Sequence, residues 1–279
     1  MLCWIPVVVG TCCLELFGQE LVTSYHTYSP GSVTTRLHRG FRSAGDERAW
    51  TIVLGVSLPL ARLHDSLWLV GVASHLLQAN SLNDIGFNPR GARWEEQLLI
   101  LWESSPWRFY GGLLHFCKHE IDNADPPDTD DPVIGYQPMK RVIILHGPFV
   151  GVFRQHRWDL RWKSTLEVRA FFFAIAQDYR IRGTDELRWR RLRASLNAHL
   201  NSEWRIGFLR SFVSVIYRSA LFQSPLLVRH EYRAEIGTAV RELPMALFAY
   251  WEQLFDDLAR PFPHPSRSIG VGLRWYADK

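Results

Sequence analysis

The stretch Gly111–Asn123, "GGLLHFCKHEIDN", ends an apolar run with two imidazoles and a thiol at alternate positions. On a β-strand, residues at i and i+2 share a face, so His115, Cys117 and His119 stand on one side. An imidazole two positions from a thiol is the spacing of a general base and its nucleophile, which points to acyl transfer through a thiolate. His119 is a supporting group, and His115, His119 or Lys118 would lower the thiol pKa by lying near it. Metal binding fits less well. Imidazoles at i and i+4 on a strand lie ~13 Å apart, too far for one ion. The sequence is read as having no metal site and no cofactor. The five aspartates between Asp122 and Asp131 offer a divalent cation oxygen ligands, although a solvated loop is the simpler reading. No Gly-rich phosphate loop, paired-cysteine site or Gly-x-Ser-x-Gly elbow is present.

What must position these residues is a set of strands. Alternation of period two recurs along the chain. Over Leu160–Ala174 one face carries Leu160, Trp162, Leu166, Val168 and Phe172, and the other Arg161, Lys163, Glu167 and Arg169. Over Leu226–Ile236 the apolar face opposes Arg229, Glu231, Arg233 and Glu235. In Leu192–Leu200 the leucines and alanines fall on one face, and His199 on the other. Such segments of about ten residues, apolar to one side and charged to the other, are the signature of a transmembrane β-strand. The charge rows suit a wet or salt-bridged lumen, and Trp and Tyr near strand ends suit an interfacial girdle.

Twelve strands are expected, near 33–40, 49–61, 66–78, 93–104, 106–119, 140–154, 157–175, 187–201, 203–218, 225–240, 244–257 and 267–276. Short connections ("RLHD", "SSP", "QHR", "SE") alternate with long polar ones, as in an up-and-down outer-membrane barrel of 10–12 antiparallel strands. The fold class is therefore all-β, with the long loops extracellular and both termini periplasmic. The segment 243–260 also spaces Leu247, Tyr250, Trp251, Leu254, Phe255 and Leu258 like an amphipathic helix, which keeps a soluble exported β-rich or α/β protein open.

Residues 1–18 read as a signal peptide, although no Lys or Arg precedes the apolar run, and 19–279 as a single domain. Loss of that segment removes Cys3, Cys12 and Cys13 and leaves Cys117 alone. The net charge is +4 with the basic residues dispersed, and 22% of residues are charged. A nucleic-acid partner would need a concentrated basic face; the expected partners are outer-membrane lipids of a Gram-negative cell.

Two resemblances follow from these residues. His115-Phe116-Cys117 resembles the His-x-Ser motif of the outer-membrane acyl hydrolases, the phospholipase A and lipid A deacylase barrels. That resemblance implies His115 as base and Cys117 as nucleophile, with thiol for hydroxyl and Lys118-His119 where Asn or Asn-Gly usually follows the Ser. "LHFCKHEIDN" also resembles the Tyr-His-x-Ser-Ser-His-x-Gly-Asp-Glu strand of an uncharacterised family of outer-membrane barrels, through His115, Cys117, His119 and Asp122. The closing "SIGVGLRWY" fits the same family, which brings no activity with it. The sequence thus indicates an outer-membrane barrel, structural or a narrow or plugged pore, and alternatively a lipid acyl hydrolase using His115 and Cys117.

Overall fold

A computed structural model describes residues 32–40, 50–80, 87–120, 142–179, 189–223, 226–240, 245–256 and 265–277. The expected signal segment and the Asp122–Asp131 loop lie outside the described residues. Thirteen strands form: β1 (Ser32–Gly40), β2 (Trp50–His64), β3 (Leu67–Asn80), β4 (Asn88–Ser104), β5 (Trp107–Glu120), β6 (Val142–Arg157), β7 (Trp162–Phe172), β8 (Ile175–Tyr179), β9 (Leu192–Ile206), β10 (Leu209–Phe222), β11 (Leu227–Val240), β12 (Met245–Leu254) and β13 (Ser266–Ala277). All pairings are antiparallel; they join chain neighbours except that β7 pairs with β9 and β8 with β6, and β1 pairs with β13, as in Leu37↔Leu273. β7 and β8 both lie against β6, as two halves of one stave. With β1 on β13 and β5 on β6, the result is an up-and-down barrel of twelve staves, in which the short β8 pairs on one side alone among the described residues.

Alternation decides which side each residue takes. On β11, Glu231, Arg233 and Glu235 are buried, while Val228 and Ile236 are exposed. On β7, Lys163, Thr165, Glu167, Arg169 and Phe171 point inward. Leu113, Val150, Leu247 and Ile236 are each more than half exposed on the outside. A contiguous apolar outer wall of this kind is what a bilayer covers.

The interior is filled. Arg274 and Glu235 pair with no exposure of either side chain, Arg233 bridges Glu235 and Glu252, and Lys163 meets Glu203 at 3.3 Å. These charges sit on the β7–β13 side. The β3–β6 side contributes Val70, Leu99, Leu101, Tyr110 and Phe149 to an apolar cluster. Toward the long-loop end Trp189 turns inward, donates to Asp256 at 2.6 Å and stacks on Phe255. Two of the cavities between these layers, among the described residues, measure about 60 and 70 Å³.

Several sequence expectations need correction. Arg161 is not a lumen residue: it is exposed in the 158–161 turn before β7, where Asp159 accepts its backbone N–H at 2.6 Å. That turn follows Arg157, later than the expected "QHR", because β6 stays paired with β7 as far as Arg157↔Lys163. The turn expected at "SE" falls instead at Gly207-Phe208, where Gly207 takes φ +61°, a backbone that glycine adopts without penalty. Leu192 faces inward, not outward, since a bulge sets Phe222 opposite Leu192 rather than Arg193. Within the segment 243–260 the described residues Met245–Leu254 form a strand, not a helix: Met245, Leu247 and Trp251 point out while Phe248, Tyr250 and Glu252 point in. Aromatics on both faces of β12 produced the helical spacing.

The stave expected to run unbroken over 157–175 is interrupted. Phe149 pairs with Phe171, and His146 pairs with Ile175. Two residues of β6 thus oppose three of the other stave, which is a β-bulge. Ala174 and Ile175 are consecutively exposed as a result. The kink drives the Phe172 carbonyl so close to Gly147 that a Cβ there would meet it at 1.7 Å. Only glycine fits that position.

Candidate functional site on the outer wall

The odd face of β5 points out of the barrel. Leu113 is exposed and His115, Cys117 and His119 are half-buried, while Tyr110, Leu114, Phe116 and Lys118 are buried within. Lys118 therefore stands on the opposite side of the wall from Cys117 and cannot act on its thiol through the lipid-facing surface.

His115 is flanked on both sides. In the register, Glu96 of β4 and His146 of β6 lie directly opposite it, and both belong to the outward faces of their strands. The His115 Nε2 is 4.0 Å from Glu96 Oε2, and its Nδ1 is 3.0 Å from His146 Nδ1. The two imidazole rings lie 4.4 Å apart between centroids. Three neighbouring strands thus set carboxylate, imidazole and imidazole in one row. At 4.0 Å the carboxylate stands just beyond hydrogen-bond reach of Nε2; a closer approach would fix the tautomer that leaves Nδ1 to accept or pass a proton.

Cys117 sits one step nearer the long-loop end, opposite Trp94, with its thiol against the Trp94 backbone. It makes no hydrogen bond to His115. His119 packs edge-on against Trp94 at 5.4 Å, and His75 of β3 does so from the other side at 6.1 Å. Among the described residues no three or more His, Cys, Asp or Glu side chains converge as metal ligands.

The row itself helps to line an open groove of about 510 Å³, in which Glu96, His115 and His146 are joined by Leu98, Leu113, Pro148, Ala174 and Ile175. The row is eight residues along β5 from Trp107. At ~3.3 Å per residue and ~40° tilt that is about 20 Å of height, near the top of an apolar belt of ~25 Å. Stacked aromatics mark the other edge of the belt at the short turns, with Trp102 on Phe109 and Trp158 on Trp162.

Glu96 and His146 were the members that sequence reading missed. Each interrupts an outward apolar face, Glu96 between Trp94 and Leu98, and His146 between Ile144 and Pro148. That interruption is the signal that marks them.

No family model matches the chain, and no curated protein does, so the resemblance to the uncharacterised barrels rests on the motif residues alone. Solved structures do match. Outer membrane phospholipase A from Escherichia coli is 12% identical, with 88% of this chain and 90% of that one covered at a TM-score of 0.50. An active-site mutant of the same Escherichia coli phospholipase gives 12% identity, 92% and 94% coverage and a TM-score of 0.51. The Salmonella typhi outer membrane phospholipase dimer with bound calcium gives 13%, 88% and 90% coverage and 0.50. At these identities the likeness is one of fold: the chain folds as an outer-membrane β-barrel.

Proposed function

We propose that this protein is an outer-membrane lipid acyl hydrolase that works on the outside wall of a filled barrel, with its long loops extracellular and its termini periplasmic. One observation carries the reading. Glu96, His115 and His146 come from three separate strands to form a polar row that borders the apolar Leu98, Leu113 and Pro148 of the outer wall. Ionisable groups set toward hydrocarbon are costly, and such groups mark function rather than stability. A structural barrel has no use for them there. A pore has little room, since side chains fill the described interior.

His115 is the base, Cys117 the nucleophile and Glu96 the group that holds the His115 ring. The Cys117 proton passes to His115, and the thiolate attacks the ester carbonyl carbon. The C–S bond forms, the ester C–O bond breaks, and His115 returns the proton to the leaving alcohol. Water then hydrolyses the thioester, which releases the fatty acid and restores the thiol. At rest His115 is engaged with His146, and the thiol lies apart from it. Catalytic hydrogen bonds of this kind commonly tighten only when substrate binds.

The test is fatty-acid release from phospholipid and lipopolysaccharide by the barrel in vesicles, followed by mass spectrometry. Wild type releases acyl chains. Cys117→Ala and His115→Ala lose at least about a hundredfold in rate, with folding checked by heat-modifiable gel migration. No release by the folded wild type, or full release by Cys117→Ala, would refute the assignment and return the protein to a non-enzymatic barrel.

A further inference from the structure

The geometry points to the groove made by the β7/β8 break as the seat of a single acyl chain of an outer-leaflet lipid, held with its headgroup toward the long loops. This deepens the hydrolase reading and rests on it for the chemistry, but the binding itself stands on separate observations.

The first observation is how the groove is built. One extra residue between Phe171 and Ile175 pushes the stave off its pairing with β6. Gly147 accepts the displaced Phe172 carbonyl, where any side chain would collide. Pro148 follows, and it lacks the N–H that an unbroken ladder would use. The sequence has thus placed a glycine and a proline where the wall is dented, and bulges of this kind occur beside working sites.

The second is what lines it. Leu98, Leu113, Pro148, Ala174 and Ile175 give a trough without a charge. Glu96, His115 and His146 line the groove too, and the register sets them at one end of it. Residues 97, 98, 113 and 148 all lie on the short-turn side of the Glu96–His115–His146 row, by the register of β4, β5 and β6. Cys117, Trp94, His119 and His75 lie on its other side. From the long loops downward the wall therefore offers His119, then the thiol level with Trp94 and His75, then the carboxylate–imidazole row, then an apolar trough leading toward mid-membrane. A lipid has the same order: polar headgroup, ester, hydrocarbon. Only the headgroup-up orientation brings an ester level with His115 while its chain fills the trough.

The experiment uses a phospholipid with a diazirine in its acyl chain, mixed into vesicles that contain the full barrel, irradiated and mapped by peptide mass spectrometry. Adducts on peptides carrying Leu113, Pro148 and Ala174–Ile175 are expected about tenfold above those on the far wall at Val213, Ile236 and Leu247, which is the ratio a preference of ~1.4 kcal/mol over bulk lipid gives. Ala174→Trp fills the trough and brings its adducts down to the far-wall level. Leu113→Trp, at a position already 63% exposed, does the same without touching the bulge. Adducts spread evenly around the barrel overturn the proposal. So does a groove free of adducts in a barrel that runs as a dimer, which would assign it to a second copy. Enrichment at the groove with no acyl release leaves the chain site standing and removes the hydrolase.

Discussion

Replacing Glu235 by Gln tests the charge network that fills the barrel. Glu235 Oε1 accepts from Arg233 Nε at 2.6 Å, and Oε2 accepts from Arg274 Nη2. Arg233 also reaches Glu252 at 2.9 Å, and Glu252 accepts from Ser268. Arg274 lies over the rings of Phe212 and Phe248, 5.0 Å from each centroid. Two cations and two carboxylates therefore meet with their side chains almost wholly buried. Glutamine keeps the shape and removes one charge, so no cavity forms and the effect is electrostatic. Taking one partner from a buried pair costs about 3–5 kcal/mol. At ~1.4 kcal/mol per decade that is two to nearly four decades in the folding constant. The double variant Glu235→Leu with Arg274→Met removes both charges of the pair and keeps apolar volume against the two phenyl rings. It is expected within about 1 kcal/mol of wild type or above it. The assay is urea unfolding in vesicles, scored by unboiled gel migration. A cost below about 1 kcal/mol for Glu235→Gln would refute the reasoning, because it would mean that water reaches and screens these charges. A double variant as weak as the single one would show that the arginine holds structure through more than its charge.

Other outcomes follow from the same structure. Trp189→Ala removes a stacked indole and its bond to Asp256, and is expected to cost about 3–5 kcal/mol in the same urea assay; the wild type should show no single-channel steps in planar bilayers, and such steps would contradict a filled interior. Glu96→Gln should lower the rate of acyl release about a hundredfold with KM unchanged, the low end of acid–base assistance; an unaltered rate would remove Glu96 from the mechanism. Arg161→Ala, in an exposed turn, should change stability by less than about 0.5 kcal/mol, whereas Arg169→Ala, buried beside Glu167, should cost about 3–5 kcal/mol; equal effects would contradict the placement of Arg161 outside the lumen.

The strands were legible because two different solvents read the two faces. Lipid requires the outward residues to be apolar, and the interior tolerates charge only in pairs, so Glu231, Arg233 and Glu235 alternate with Tyr232, Ala234 and Ile236 without a break. Where the two faces share a chemistry, that contrast fails. Phe248 and Tyr250 face inward beside outward Leu247 and Trp251, and this produced a false helical period. A bulge is worse for sequence reading, since it costs one residue and leaves no compositional trace except its consequences. Gly147-Pro148 and the doubled exposure at Ala174-Ile175 are such consequences, visible only once the pairing is known.

The site divides in the same way. His115, Cys117 and His119 share a face by parity alone, which a sequence displays. Glu96 and His146 join them only through the register of three strands, and a slip of one residue would turn each to the other side of the wall. Register is set by the whole barrel, by the turn lengths and by the burial of every inward side chain. The charge network around Glu235 and Arg274 is thus linked to the outer wall although it touches none of it: it fixes which way the strands face, and so which three residues meet. A site built across strands belongs to the barrel rather than to any motif. The same dependence explains why the pair of residues two apart came into view from sequence and the row across the sheet did not.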